Sequence, residues 1–484
     1  MYRLGVARIF WLTKPFGFLG RFFFEKAGID MNTIDNQAST TADVLVIGFG
    51  KAGKTIAMNR AEQGDRVILV EQSPKMYGGT CINIACIPTK TMLVDSERGV
   101  KYPDSVEHRD NFIATLNKVN KQLADDAGVI VVDGHAEFTG TDSVLVTGGQ
   151  EELTITATTI IINTGSEPIL PDIPGIDSSR VIDSTSAQHL EETPESLVIV
   201  GGGPIGMEFA TMFAQFGTKV TILDRGAQFG TAFDDDIAQA LKKDLEAKGI
   251  TIINNADVTG VEDGANSVSV RYSDGDTEHS MDATNVLFAI GRKPATDGLG
   301  LEAAGINTTS RGAIAVDEHL RTNVEGIYAA GDVNGGPQFT YVSYDDHRVI
   351  LSDRWSDGSR VTTGRLIPTT TFTNPPLSTI GMGEEDAKTN AASRGHTAEV
   401  RFKEIADIPI MPRPKIVGTP EGVAKFIIDV EDDQILGATL YCVDSQELIN
   451  LAAVAMSNKI PASVIGDTIY THPSSTEVFN ALLA

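Results

Sequence analysis

Cysteine is almost missing from this chain, with Cys81, Cys86 and Cys442 the only three in 484 residues. So few cannot build the disulfide framework of a small secreted protein, and a reducing, cytoplasmic setting is expected. Basic charge is in deficit as well. Thirty-nine lysines and arginines stand against 65 aspartates and glutamates, a formal net charge of −26 at pH 7. That balance excludes nucleic acid and anionic membrane as general partners of the surface. No uninterrupted apolar run approaches the ~18 residues of a membrane span. In the first thirty residues, Phe10, Trp11, Phe16, Phe18, Leu19 and Phe22 to Phe24 are interleaved with Arg3, Arg8, Lys14, Arg21 and Lys26. Those charges also break the clean apolar block of a signal peptide. Residues 1–41 are read as a disordered extension with Met31 near the natural start. A basic, aromatic membrane anchor over residues 1–30 is the alternative.

What the chain does contain is organised. Hydrophobic residues make up 41% and charged residues 21%, ordinary for a soluble globular protein with more than two domains' worth of length. Two of the three cysteines fall in Gly78-Gly-Thr-Cys-Ile-Asn-Ile-Ala-Cys-Ile-Pro-Thr-Lys90. On a regular helix, Cys81 and Cys86 would lie about 7.5 Å apart along the axis and on different faces. A disulfide needs Cβ atoms roughly 4 Å apart, so Cys81 is expected on a distorted turn ahead of a helix that carries Cys86. Two readings are open. The pair is either a stabilising staple, whose short loop would contribute only about 2 kcal/mol, or a redox dithiol with a thiolate favoured by a helix N-terminus.

Around this segment lie two copies of one pattern. Val44 to Ile47 reads as a buried strand leading into Gly48-Phe-Gly50-Lys-Ala-Gly53, a helix ending at Gly64, and a strand Val67 to Val70 capped by Glu71. Gly48 is expected to make the tight turn, Gly50 to admit a pyrophosphate, and Gly53 to let helix pack on strand. Glu71 is placed for ribose hydroxyls. The unit recurs as Leu197 to Val200, Gly201-Gly-Gly203-Pro-Ile-Gly206, a helix to Gly217, and Val220 to Asp224. Asp224 would repel a 2′-phosphate, so NADH is favoured; neighbouring Arg225 keeps NADPH open. Strands at Val129 to Val132, Ala136 to Phe138, Ser143 to Val146 and Leu153 to Ile155 read as an antiparallel meander inserted in the first unit. Thr159 to Asn163 reads as a separate returning strand, ending in Thr164-Gly165-Ser166. Prolines at 168, 171 and 174 and the segment Ile290 to Pro294 mark two crossings. The first nucleotide domain is thus split, covering residues 42–166 and 291–360, with a second at 167–290 and a C-terminal domain at 361–484.

This order of motifs resembles the flavoprotein disulfide reductases of the pyridine nucleotide-disulfide oxidoreductase family, across residues 42 to 484. The resemblance implies an α/β fold: two Rossmann-like domains, for FAD and NAD(P)H, and a C-terminal α+β dimerisation domain. Within the family, Ile47 to Thr55, Gln338 to Asp346 and Leu440 to Ser445 look most like the reductases of reactive chlorine and hypothiocyanous acid. FAD would be held by Gly48, Gly50, Gly53, Glu71, Thr80, Lys90, Gly134, Ala136, Thr164, Gly165, Ser166 and Asp332. NAD(P)H would be held by Gly201, Gly203, Gly206, Asp224 and Gly291. By the same resemblance Cys86 faces the flavin and Cys81 exchanges with substrate, while Lys90 and Glu208 form an ion pair beside the ring. His472 acts as acid–base and Glu477 orients it, both reaching the partner's cysteines in a homodimer.

The expected activity is transfer of reducing equivalents from NAD(P)H through FAD and the dithiol to a small oxidant: hypothiocyanous acid, a reactive chlorine species or Cu(II). Dihydrolipoyl dehydrogenase is the alternative. The chain has no cysteine after Cys442 to match the C-terminal thiols of mercuric reductase, and Asp224 replaces the arginine of glutathione reductase. Ala85 stands where most relatives have glycine and is expected to crowd the flavin. Cys442 reads as a core thiol and the ring of His135 as incidental. No metal site is assigned, although a copper-buffering set of the dithiol with His347 is a reading from another class.

Overall fold

The computed structural model describes residues 38–149 and 152–484, so the segment read as an extension lies outside the described residues up to residue 37. Ala38–Ile47 is the central strand of the first sheet, pairing in parallel with Val67–Glu71 on one side and Leu153–Ile162 on the other. Its core half, Val44 to Ile47, is almost wholly buried. Each such side chain removed from water contributes roughly 1.5–3 kcal/mol, which is why this run nucleates a sheet covered on both faces. Strand Ile327–Ala329 adds to Leu153–Ile162 in parallel and delivers Gly331 and Asp332 at the same sheet end.

The structure corrects the expected meander in two ways. Ile130–Asp133 pairs in parallel with Val67–Glu71, as the third strand of the nucleotide-binding sheet. Its crossover includes a 25-residue helix, Tyr102–Asp126, begun by Pro103 at its first turn. Only His135–Phe138, Ser143–Thr147 and the start of the next strand run antiparallel. That next strand is one element, Leu153–Ile162. Its alternating first half pairs with the hairpin and with Ala38–Thr41, while its continuous apolar second half lies in the parallel core.

The second unit is a parallel sheet in the order Thr251–Ile253, Lys219–Leu223, Ser196–Val200, Asn285–Phe288 and Val181–Ile182. A three-stranded antiparallel sheet, Asp257–Asp263, Val268–Ser273 and Glu278–Ala283, shares a hydrophobic cluster with it. The two crossings meet as a two-stranded antiparallel pair, Ser166–Pro168 with Arg292–Pro294. C-terminal to these lies a five-stranded antiparallel sheet whose middle strands, Gln434–Tyr441 and Val423–Asp429, are packed by helices Ser445–Ser457 and Glu477–Leu483. Cys442 is buried in this cluster, where desolvation pushes its thiol well above the ordinary range. Among the described residues no helix is long and apolar enough to cross a membrane.

Helix Pro204–Gln215 is the piece that builds the site. From Gly206 to Phe213 every residue is buried, so it is enclosed on all sides rather than amphipathic. One neighbour is the helix Cys86–Glu97, which begins at the second cysteine of the pair. Polar side chains on this enclosed helix must therefore find partners at that contact.

Candidate active site

Gly79 sets up the cysteine segment. Its φ of +75° favours glycine, and a Cβ there would come 2.8 Å from the Cα of Gly50 in the first glycine turn. Thr80–Asn83 makes one helical turn, and the Ile84 and Ala85 amides both close on the Thr80 carbonyl, at 3.0 and 2.9 Å. The chain then breaks and restarts as the helix Cys86–Glu97. The distorted turn expected from the five-residue spacing is this break. Ala85 occupies it with φ −129° and ψ −96°.

Both thiols are free, and they are electrostatically unequal. Cys86 is brought down to about 6, chiefly by the hydrogen bond it receives from the Cys81 thiol. Burial opposes that fall, while the Thr340 hydroxyl 3.5 Å away and the Lys90 ammonium add to it. Its position in the first turn of a helix acts in the same direction. Cys81 moves the other way: donating to Cys86 and being buried both hold its proton on. The pair therefore shares one negative charge, placed on Cys86.

Lys90 donates to Glu208 at 2.6 Å, as the resemblance implied. Its ammonium also lies 4.8 Å from the centre of the Phe372 ring. The other Glu208 oxygen accepts the Phe372 amide at 3.0 Å, so this carboxylate, 8% exposed, is fully engaged. His472 and Glu477 are joined at 2.8 Å, with the second Glu477 oxygen accepting the Ser474 amide at 2.9 Å. Burial works against the Glu477 carboxylate, yet its two hydrogen bonds hold it below the usual range. The His472 side chain is 67% exposed.

The two glycine turns differ in how much room they leave for a dinucleotide. Both fingerprint helices start at a glycine, Gly50 or Gly203, with no side-chain cap on the orphan amides. A Cβ added at Gly203 would meet nothing within 4 Å, so this glycine leaves room that the protein does not use. Gly50 differs from expectation. A Cβ there would lie 2.3 Å from Asn163 Oδ1, so packing against Asn163 already demands glycine. Asn163 itself holds the Gly53 amide at 2.9 Å and donates to the Ala330 carbonyl at 2.5 Å. The strand-end acids act alike in both units. Glu71 accepts the Phe49 and Ser73 amides at 2.9 and 3.2 Å, and Asp224 accepts those of Gly202 and Gly226 at 2.9 and 2.7 Å. Asp332 accepts the Ser166 hydroxyl at 2.7 Å, and burial raises its carboxyl above the usual range. Thr164 donates to the Ala295 carbonyl, and the Gly134 amide to the Glu71 carbonyl. Gly165 lies beside Thr80, Gly291 beside Ile169, Gly201 and Gly206 close their turn, and Ala136 is buried. Uncapped amides at both helix starts, carboxylates at the strand ends and open space at Gly203 fit an FAD and a nicotinamide dinucleotide.

Three site residues escaped the reading of the sequence. Thr340, which touches Cys86, was read only as part of the Gln338 to Asp346 segment, with no role of its own; it starts a helix. Asn163 was read as the end of a strand, and Arg292 only as part of a crossing. Arg292 spans the two-stranded crossing to Ser166, donating to its hydroxyl at 2.9 Å and its carbonyl at 2.6 Å. The copper reading finds no support at His347, whose Nδ1 is engaged by the Tyr344 carbonyl. Among the described residues His396, Asp429 and Glu431 bring ligand atoms within 4.8 Å of one another, but Arg394 is paired to Asp429 at 2.7 Å and supplies the positive charge. His135 Nε2 donates to the Gly298 carbonyl at 2.8 Å.

Residues 42–346 match the pyridine nucleotide-disulphide oxidoreductase family, and residues 367–483 match its dimerisation domain. The chain belongs to this family of flavoenzymes, whose members use pyridine nucleotides. It is 42% identical, over 91% of this chain and 98% of the other, to the probable pyridine nucleotide-disulfide oxidoreductase RclA of Escherichia coli strain K12. Dihydrolipoyl dehydrogenase of Geobacillus stearothermophilus is 32% identical over 90% of this chain and 94% of its own. Mercuric reductase of Staphylococcus aureus is 30% identical over 88% and 79%. Among solved structures, the Cu(II) complex of the HOCl-induced flavoprotein disulfide reductase RclA from Escherichia coli superposes with a TM-score of 0.87 at 41% identity, covering 92% of this chain and 99% of that one.

Proposed function

We propose that the protein is a cytoplasmic, homodimeric NAD(P)H oxidoreductase that uses FAD and the Cys81–Cys86 pair to reduce a small electrophilic oxidant, with hypothiocyanous acid the leading candidate. The observation that carries this reading is the inequality of the two thiols, one poised as a thiolate at a helix start and the other protonated beside it. When bound, FAD would take a hydride from NAD(P)H and return an electron pair to the cysteine disulfide. The chain's own residues would do the rest.

His472 of the second subunit removes the Cys81 proton. The Cys81 thiolate attacks the electrophilic sulfur of HOSCN, forming a Cys81–S–SCN bond and releasing hydroxide, which is protonated to water. The Cys86 thiolate then attacks Cys81 Sγ, expelling thiocyanate and closing the disulfide. Holding both thiols in one segment makes the second step intramolecular. The net reaction consumes one NAD(P)H per HOSCN and yields NAD(P)+, thiocyanate and water, the proton released on hydride oxidation being the one taken up by the leaving hydroxide. Reactive chlorine species enter by the same attack, with chloride leaving. Cu(II), the ion bound in the RclA structure, is an alternative acceptor, each NAD(P)H reducing two ions to Cu(I).

Asp224 supports NADH as the preferred donor, because it presents a carboxylate at the end of the second fingerprint's strand. Exposed Arg225 beside it keeps NADPH usable. A panel following NADH and NADPH oxidation with hypothiocyanous acid, hypochlorous acid, Cu(II) and lipoamide tests the reading. Rapid turnover with lipoamide and none with hypothiocyanous acid would sink it in favour of dihydrolipoyl dehydrogenase.

A further inference from the structure

Cys86 has a cationic neighbour one helical turn away, Lys90, whereas nothing on the short helix of Cys81 carries positive charge. A lysine from another element fills that gap. Lys54 lies in the first turn of the helix Lys51–Glu62 and is only 6% exposed. Among the described residues no carboxylate pairs with it. Its ammonium donates to one neutral acceptor, Asn120 Oδ1, on the helix Tyr102–Asp126. Burying an ammonium against a single amide is costly, and an apolar side chain of similar length would fill the same space.

The packing of the cysteine segment brings it beside this buried charge. Gly79 lies on Gly50, as described above. A Cβ at Gly78 would come 3.3 Å from Asn120 Cγ. Asn83, two residues beyond Cys81, accepts a 3.3 Å hydrogen bond from Asn117, one turn from Asn120 on the same helix. Asn83 also ties back to the Gly79 carbonyl at 2.9 Å. Lys54, its amide partner and the Cys81 turn thus form one packed patch.

We propose that Lys54 is a positioning residue for the exchange thiol: its ammonium, held by Asn120, stabilises the Cys81 thiolate as Lys90 stabilises that of Cys86. The proposal rests on Cys81 being the exchange thiol. Burial brings Lys54 down to about 8, the Lys51 ammonium adds to the fall, and the charge of Cys81 opposes it. Reciprocally, Lys54 pulls Cys81 down against the hydrogen bond to Cys86 and the burial that raise it. The other charges on neighbouring elements are already committed. Lys51 sits over the Tyr344 ring, Asp345 and Asp346 pair with Arg365, and Arg348 reaches Asp345. His347 faces the Tyr344 carbonyl, and Lys121 pairs with Asp125. As pH rises through about 8, Lys54 loses its proton and the support for the Cys81 thiolate fades.

The test uses the flavin-loaded Cys86→Ser protein, in which Cys81 stands alone, and follows its alkylation by iodoacetamide against pH by peptide mass. Adding Lys54→Met slows alkylation at pH 7 about tenfold, the consequence of one pKa unit. Lys54→Arg restores the rate to within about threefold. Thermal unfolding of the Lys54→Met protein is unchanged or raised, since a buried charge is gone, so slower chemistry on an intact fold is not a structural failure. If Lys54→Met does not fold, Asn120→Leu, which removes the acceptor that holds the ammonium, serves instead and slows alkylation at pH 7 in the same direction. A rate and pH profile indifferent to Lys54 and Asn120 overturn the proposal. A hypothiocyanous acid adduct trapped on Cys86 of the Cys81→Ser protein, with none on Cys81 of the Cys86→Ser protein, overturns the exchange-thiol assignment itself, a distinguishable result.

Discussion

Replacing Lys90 with methionine is expected to raise the Cys86 thiolate midpoint from about 6 to about 7. Side chains four residues apart on a helix lie about 5–6 Å from each other. At an effective dielectric of 20, unit charges 6 Å apart interact by roughly 3 kcal/mol, or about two pKa units. Two features of the structure reduce this. The Lys90 side chain is 31% exposed, and the Glu208 carboxylate 2.6 Å from its ammonium pushes Cys86 in the opposite direction. About one unit remains. Methionine at 90 also strands Glu208, which is 8% exposed and keeps only the Phe372 amide. Breaking a buried pair costs about 3–5 kcal/mol, discounted here to roughly 1–3 because Lys90 is partly solvated. The double variant Lys90→Met/Glu208→Gln removes both opposed charges, so its midpoint returns to within about half a unit of the parent. The assay is thiolate ultraviolet absorbance of the reduced protein against pH, with denaturant melts alongside. An unchanged midpoint in Lys90→Met, or a double variant shifted as far as the single, would refute a charge-based role.

Because the Cys86 pKa is lowered, its thiolate is present above about pH 6 and lost as pH falls through that value; the resolving step should decline tenfold per unit below it, read by rapid-quench thiocyanate release. Glu477→Gln keeps a hydrogen-bond acceptor for His472 but removes the charge, and should lower kcat about 10²-fold with little change in KM for NADH. If His472 serves the other subunit's dithiol, mixing inactive Cys81→Ser and His472→Gln homodimers should restore activity through heterodimers carrying one intact site; no recovery after proven subunit exchange contradicts the shared site. Gly79→Ala forces a Cβ to 2.8 Å from Gly50 at positive φ, and should cost about 2 kcal/mol or more in thermal unfolding while slowing Cys81 alkylation.

The fingerprints were legible because their physics is local. Gly48, at φ +97°, and Gly53, whose Cβ would strike Val46, are read from neighbours within a few residues. The break between Cys81 and Cys86 follows from helix geometry alone. Elements set by distant partners were not legible. Ile130–Asp133 has the same apolar look as a meander strand, and only pairing with Val67–Glu71 makes it parallel. Gly50 reads as a ligand-facing glycine until Asn163, 113 residues later, is seen to occupy the space of its side chain. Thr340 and Lys54 carry ordinary polar side chains in helices, and their place beside the thiols depends on packing between segments far apart in the chain.

The central claim is that Cys81 receives the oxidant and Cys86 discharges it. Treating the reduced Cys86→Ser protein with one equivalent of hypothiocyanous acid tests it most directly, because the resolving thiol is missing. Peptide mass spectrometry should find a single thiocyanato group on Cys81, released as thiocyanate by dithiothreitol. An unmodified Cys81 with the oxidant consumed elsewhere, or an adduct on Cys442, would contradict the account.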